Sequence, residues 1–362
     1  MPSVIIEKAS KVLVTGANGF VAIWLVRTLL EQGYCVRGTV RSAEKGEHLT
    51  EMFKSYRDKF ELVVVKDFTK DGAFDDAVRG IDAIQHIASP LHFHSDDPKE
   101  LIDPAVKGTL GILKSAMKHG PAIKRVVLLA STASVLRDSD EPLVFNENDW
   151  NDQSIKEVEV LGHKASPMAK YYASKTLAEK AAWKFYSEHK DQLSWGLVTL
   201  NPPFVFGPVI HQVSFPSDLN ATTKVWYDIV VAPKDSDKSH SFLTNVGSSW
   251  IDVRDLALAL VKSLNVKEAE GERIIVSAGD FSWRDWLNIA TSFASSLQGA
   301  MQGAPIAPRN LSRTKTQATT SAIYKIKYDT SKEKQILGLN YRTMEDAAKD
   351  TLLDYKQRGW WP

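Results

Sequence analysis

The sequence predicts an α/β fold, a doubly wound parallel sheet with a smaller C-terminal lobe. Three observations carry the prediction. Short β-branched runs alternate with helix-period stretches through the first 200 residues. Two glycines, Gly16 and Gly19, mark a tight turn at the first strand-to-helix joint. After about residue 207 the alternation gives way to irregular segments holding Pro, Ser and Asn. Strands alternating with helices imply βαβ units, right-handed crossovers and parallel pairing.

The strand runs are 12–15, 36–41, 62–66, 83–88, 126–129 and 196–200. Between them, Ile102, Val106, Leu110, Leu113 and Met117 recur at spacings of three and four, which makes one apolar helical stripe. Residues 1–207 are expected to form the nucleotide-binding domain and residues 208–362 mainly the smaller lobe. A strand at 273–277 and helices at 255–264 and 283–296 are assigned to that lobe. A loop is expected over 298–317 and a closing helix over 344–359. Some segments of this second stretch are expected to return to the first domain.

Composition excludes several classes. Among 362 residues, Lys plus Arg number 45 and Asp plus Glu 44, a net charge of +1. Such a balance creates no field to gather nucleic acid or an anionic membrane. Hydrophobic residues at 43% and charged residues at 25% describe a globular chain, not a disordered one. The single cysteine, Cys35, excludes an internal disulfide and fits a reducing compartment. No apolar run reaches the roughly 18 residues of a membrane span. The N-terminus lacks a secretory pattern, so the cytoplasm is expected. Asn-x-Ser/Thr triplets at Asn220 and Asn310 are then chance occurrences.

The segment Thr15-Gly16-Ala17-Asn18-Gly19-Phe20-Val21-Ala22 joins a strand to an amphipathic helix. Gly16 permits the turn, and Gly19 lets a pyrophosphate approach the backbone. The first helical residues, Phe20 and Val21, complete a cradle of free N–H groups and partial positive charge. This is the dinucleotide-binding joint of a Rossmann fold. A site for the unphosphorylated cofactor usually has an acid at the end of the second strand. Here Arg41 stands there, with Lys45 four residues on. A guanidinium pairs with a 2′-phosphate, so NADP(H) is the expected cofactor.

Tyr-x-x-x-Lys occurs at Tyr171/Lys175, Tyr186/Lys190 and Tyr328/Lys332. Position selects the first. Tyr171 opens the helix between the fifth and sixth strands, and Ser131 ends the fifth, where a parallel sheet presents ligands. Tyr186 lies near the end of the same helix, and Tyr328 is expected far from the sheet. Residues four apart share a helical face, so Lys175 can reach both a cofactor ribose and the neighbourhood of the Tyr171 hydroxyl. A nearby ammonium is expected to lower the tyrosine pKa and make it a proton donor near neutral pH. Ser131 would bond the substrate oxygen.

Val14 to Ala22, Val40-Arg41-Ser42, Asp67-Phe68, Ile87-Ala88-Ser89-Pro90, Tyr171 to Lys175, Asn201 to Pro208 and Asp252 to Ala257 resemble one superfamily together. It is the extended short-chain dehydrogenases/reductases, in the branch of fungal aldehyde and methylglyoxal reductases related to plant dihydroflavonol reductases. The resemblance spans nearly the whole chain. It implies that Asp67 and Phe68 contact adenine, that Ala88 and Ser89 line the ribose, and that Pro202 and Val205 flank the nicotinamide. It maps the catalytic serine to Ser131. The Asn-Trp-Tyr-Cys-Tyr signature of the cinnamoyl-CoA reductase relatives is absent before Tyr171, which disfavours a CoA ester.

His86, His92 and His94 crowd the fourth strand and its loop without a metal-ligand pattern, so no metal is expected. Leu91 and Phe93 are expected to form one wall of a substrate mouth, and Phe215 and Trp226 the other; ordinary core packing is the alternative for these aromatics. The reading is an NADPH-dependent carbonyl reductase of a small-molecule substrate, monomeric or homodimeric. A sugar-nucleotide epimerase or dehydratase with tightly held NAD, and a non-catalytic dinucleotide sensor, remain alternatives.

Overall fold

The structure, a computed structural model, describes residues 6–88, 96–232, 247–300 and 324–361. Seven strands form one sheet in the order β10-β7-β5-β4-β1-β2-β3. They are β1 (Lys11–Val14), β2 (Cys35–Val40), β3 (Phe60–Val64), β4 (Ala83–His86), β5 (Arg125–Leu129), β7 (Gly196–Asn201) and β10 (Arg273–Ile275). Every neighbouring pair is parallel. The order reverses direction between β1 and β4, and this switch point opens the cleft described below.

Each face of the sheet is covered by helices. Helix α1 (Phe20–Glu31) and α7 (Val253–Asn265) pack together over one face; α3 (Lys99–His119) and α5 (Pro167–His189) pack over the other. The strands alternate accordingly: Val12 and Val14 join the core under α1, while Leu13 joins the core under α3. The stripe predicted on α3 holds in part, with Leu113 buried and Leu110 and Met117 packed against the core. Ile102 and Val106 line a shallow groove between α3 and α5 instead.

Two departures from the sequence reading concern the C-terminal half. The strand at Arg273–Ile275 belongs to the large sheet, beside β7, because its Ile274 and Ile275 supply a fully buried edge. The smaller lobe holds a separate sheet of β8 (Phe204–Phe206), β9 (Gly247–Asp252) and β11 (Gly279–Ser282). Its core is aromatic: Phe206, Trp226, Trp250, Phe281 and Trp286 meet at ring distances of 5.0 to 6.1 Å. A third, two-stranded sheet joins β6 (Leu143–Phe145) to β12 (Ile326–Tyr328). Tyr328 is therefore not far from the nucleotide-binding half; its hydroxyl faces Thr132, next to Ser131. Non-local parallel pairing brought it there.

Candidate active site

The site begins at the glycine turn. Gly16 has φ +64°, a left-handed conformation that costs an L side chain about 1–2 kcal/mol. A Cβ there would also stand 3.2 Å from the Ala88 Cβ. The turn is held by Thr39 at the end of β2. Its Oγ1 accepts from Gly16 N at 3.1 Å, and its carbonyl accepts from Ala17 N at 2.9 Å. Gly19 N-caps α1 without a side-chain cap, and no acid stands in the first turn. The N-terminal N–H groups and their partial positive charge are thus left for an anion.

Thr15 ties this turn to β4. Its Oγ1 accepts from the backbone N–H groups of Ile87 and Ala88, both at 3.0 Å, so its own proton goes to His86 Nδ1, also at 3.0 Å. His86 is thereby neutral, with its proton on Nε2. Burial pushes its pKa down to about 4, with the Lys175 charge adding to the shift.

Helix α5 carries the reactive side chains. Ser166 caps it, its Oγ accepting from Ala169 N at 3.1 Å, and Pro167 follows at the first helical position. One turn in, the buried Lys170 ammonium donates to the carbonyls of Asp96 and His163, at 2.8 and 2.9 Å. These anchors fix where Tyr171 enters the cleft. Lys175 Nζ lies 5.8 Å from the centre of the Tyr171 ring. The Ser131 hydroxyl bonds the Tyr171 phenol and accepts from Ala133 N at 3.1 Å.

The electrostatic balance differs from the sequence expectation. Burial pushes the Tyr171 phenol up, and the Ser131 hydrogen bond pulls it back by less. Lys175 was expected to lower Tyr171; instead burial dominates both groups, and it lowers the lysine to about 8. The ammonium still predominates at neutral pH.

All of this opens into one cleft of about 490 Å³. Gly16, Gly19, Phe20 and Val21 line its floor, with Ala88 from the β4 end. Arg41 and Lys45 line one end, both exposed. Among the described residues, no carboxylate lies within ion-pair distance of either. Phe68 lines the same end, its ring packed where Gly108 of α3 leaves room: a Cβ on Gly108 would meet it at 2.5 Å. Ser131, Tyr171 and Lys175 line the other end, with Pro202 and Val205.

Some expected residues lie elsewhere. Asp67 is not among the residues that line the cleft, and its Oδ1 accepts from Thr69 N at 3.0 Å and Thr69 Oγ1 at 2.6 Å. Those bonds hold it below the usual carboxylate range, with smaller contributions from the charges of Lys70 and Arg41. Trp226 is 2% exposed and packs in the aromatic core of the small lobe, so it is not a substrate wall. Phe215 is 67% exposed and outside the cleft lining, because its turn is held on the surface by Asp218. Ser89, Leu91 and Phe93, like His92 and His94, lie outside the described residues. Tyr186 is a core residue stacked on Trp195 at 6.0 Å.

The cleft also contains residues that the sequence reading passed over. Thr39 lies in β2 two residues before Arg41, which follows the strand end, and the period-2 spacing within the expected 36–41 run was available in the sequence. Asn220 and Thr222, read as part of a chance triplet, form the small-lobe wall. Asn220 Nδ2 donates to Thr222 Oγ1 at 3.0 Å, and Thr222 Oγ1 donates to the Val205 carbonyl at 2.8 Å. Asn310 lies outside the described residues.

Sheet order, switch-point cleft and the Ser–Tyr–Lys cluster together define a short-chain dehydrogenase/reductase of the extended type. The chain belongs to the NAD dependent epimerase/dehydratase family, whose model matches residues 12–279. It is 34% identical over 350 residues to a ketoreductase of Aspergillus niger, covering 95% of this chain and 97% of that protein. It is 34% identical over 350 residues to the NADPH-dependent methylglyoxal reductase of Saccharomyces cerevisiae, covering 94% and 96%. Its structure resembles that of the yeast methylglyoxal/isovaleraldehyde reductase complexed with NADPH, with a TM-score of 0.79 and 33% identity over 97% of this chain and 99% of the other. Among the described residues, no helix is long and apolar enough to cross a membrane.

Proposed function

We propose that the protein is an NADPH-dependent carbonyl reductase that converts aldehydes and ketones to alcohols, with Tyr171 as the proton donor. One observation carries the reading. The Ser131–Tyr171–Lys175 cluster stands at one end of a cleft whose other end holds the exposed cations Arg41 and Lys45.

The residues fit a phosphorylated nicotinamide dinucleotide. The uncapped N-terminus of α1 suits its pyrophosphate, and the cleft floor is kept open by the missing Gly16 side chain. Arg41 and Lys45 suit a 2′-phosphate, and Phe68 offers a flat apolar face beside them. Pro202 and Val205 are near enough to the cluster to flank the nicotinamide. Bound there, the reduced cofactor supplies a hydride to the carbonyl carbon.

The chain's own groups handle the oxygen. The Ala133 N–H occupies an acceptor lobe of Ser131 Oγ, so the hydroxyl proton is free to point at Tyr171 or at a substrate oxygen. Tyr171 passes its proton to the carbonyl oxygen as charge develops there. Ser131 and the Lys175 ammonium then stabilise the phenolate that is left. Burial alone opposes that phenolate, so the two neighbours matter more here than they would on a surface. General acid catalysis of this kind is worth roughly 10²–10⁴ in rate. A reducing compartment such as the cytoplasm suits the lone Cys35, and a monomer or homodimer completes the reading.

The test is an NADPH-oxidation screen over aldehydes, diketones, aryl ketones and β-keto esters, with NADH in parallel. Carbonyl-dependent oxidation of NADPH is expected. Turnover of a nucleotide sugar alone, by protein purified with NAD tightly bound, would overturn the reading in favour of an epimerase.

A further inference from the structure

Behind Ser131 lies a buried ion pair that takes no part in the chemistry described so far. Glu179 of α5 is 1% exposed, one helical turn beyond Lys175. Its Oε1 accepts from Arg273 Nε of β10 at 2.8 Å and from Thr199 Oγ1 of β7 at 3.1 Å. Its Oε2 accepts from Asn201 Nδ2 at 2.9 Å and, in a shorter contact, from the Ser134 hydroxyl. The guanidinium is fixed in turn. Arg273 Nη1 donates to the carbonyls of Glu147 and Asp149 at 2.5 and 2.9 Å, and its Cζ lies 3.6 Å from the centre of the Trp150 ring.

Arg273 Nη2 also reaches Oε2, at 3.5 Å, and the other two groups that bind this oxygen also bind the backbone of Ser131. Its carbonyl accepts from Asn201 Nδ2 at 3.1 Å and lies 2.7 Å from Ser134 Oγ. Two oxygens that would otherwise repel, the Ser131 carbonyl and a Glu179 carboxylate oxygen, are thus bridged by the two protons of Asn201 Nδ2, while the single Ser134 hydroxyl proton lies between them and serves one at a time. Resting on the proposed reductase reading, we infer that Glu179 and Arg273 are positioning residues. They set the Ser131 carbonyl, and through it the direction of the Ser131 hydroxyl toward Tyr171.

A charge pair removed from water is weak evidence for stability, since apolar residues of like volume often serve as well or better. This pair instead gives geometric definition: α5, β7, β10 and the loop after β5 meet on one carboxylate. Tyr171 and Glu179 ride the same helix. The carboxylate that fixes Ser131 is therefore rigidly related to the phenol that Ser131 must meet. Misplacing a catalytic group by about 1 Å can cost on the order of 10² in rate.

The experiment is a double-mutant cycle on the whole chain, with kcat, KM and NADPH affinity read separately. Ser131→Ala alone reports on the reductase reading; if it leaves turnover intact, that reading of the serine fails. Given that it lowers turnover, Glu179→Gln is expected to lower kcat about tenfold with NADPH affinity unchanged. In the Ser131→Ala background the same change is expected to cost less than twofold, since no hydroxyl remains to be misaimed. Equal losses in both backgrounds, or a loss of NADPH affinity matching that of kcat, would overturn the positioning role and leave a purely structural pair. Should Glu179→Gln not fold, Ser134→Ala removes one bridging hydroxyl and keeps the ion pair. The cycle run with it is expected to show the same non-additivity, and additive losses there would overturn the proposal equally.

Discussion

The Cα of Gly16 faces Ala88 so closely that a methyl group on it would stand 3.2 Å from the alanine Cβ. The contact joins the ends of β1 and β4 at the point where the sheet changes direction. Gly16→Ala therefore meets both a left-handed backbone and a neighbour that must move. NADPH affinity is expected to fall at least tenfold, followed by quenching of the intrinsic tryptophan fluorescence. Unchanged affinity would mean that the cofactor does not approach this turn.

Tyr171→Phe removes the proposed proton donor and keeps the ring that packs beside Tyr172. Turnover is expected to fall by at least about 10² with cofactor affinity intact. Tyr186→Phe, in the core against Trp195, is expected to stay near wild type. An active Tyr171→Phe enzyme would refute the assignment of the donor.

Arg41→Ala is expected to weaken NADPH binding about 10- to 100-fold, the worth of charge-assisted hydrogen bonds to a phosphate. NADH binding should change little. Because Arg41 is exposed, the difference is expected to shrink as salt is raised. Titrations of both cofactors at low and high ionic strength check it, and equal losses for the two would show that Arg41 does not read the 2′-phosphate.

Two buried histidines make stability pH-dependent. Burial lowers both His86 and His211 to about 4, against an ordinary value of about 6.5. Between those values the unfolded chain binds more protons than the folded one, so stability rises with pH. The contribution is complete above about pH 6.5 and is lost as pH falls toward 4. Each group is expected to forfeit on the order of 2 kcal/mol at pH 5. Urea unfolding at pH 7 and pH 5 measures the sum, and His86→Gln should remove about half of the difference.

The nucleotide-binding half was legible because its signals are local. Strand and helix periods, a glycine turn and a Tyr-x-x-x-Lys pair each sit within one element, and the parallel sheet then aligns their ends. Ser131 and Tyr171 were found that way. What the sequence hid was decided by packing between distant segments. Trp226 at the end of a short helix could face cleft or core with equal ease, and its ring contacts with Trp286 and Tyr355 decided for the core. Tyr328 is carried to the nucleotide-binding half because β12 finds its partner, β6, about 180 residues earlier, a pairing no local signal announces. Asp67 points to Thr69 through a turn of two residues, which no periodicity reveals. The Glu179–Arg273 pair joins residues 94 apart, and in the sequence both look like surface charges.

The last strand of the large sheet has a consequence for a chain emerging from the ribosome. β7 ends at Asn201 and its outer neighbour β10 begins at Arg273, about 70 residues later. At roughly 5–20 residues per second, β7 waits some 4–14 s with a bare hydrogen-bonding edge. Its six residues are all buried in the finished molecule, so the waiting edge is apolar as well as unpaired. Such an edge invites pairing with other nascent chains. A fragment cut at residue 207 would keep that edge for good, and would also lose Arg273, the partner of Glu179. Truncation there is thus expected to yield aggregates rather than a smaller nucleotide binder, and extension through residue 275 is the least that closes the sheet.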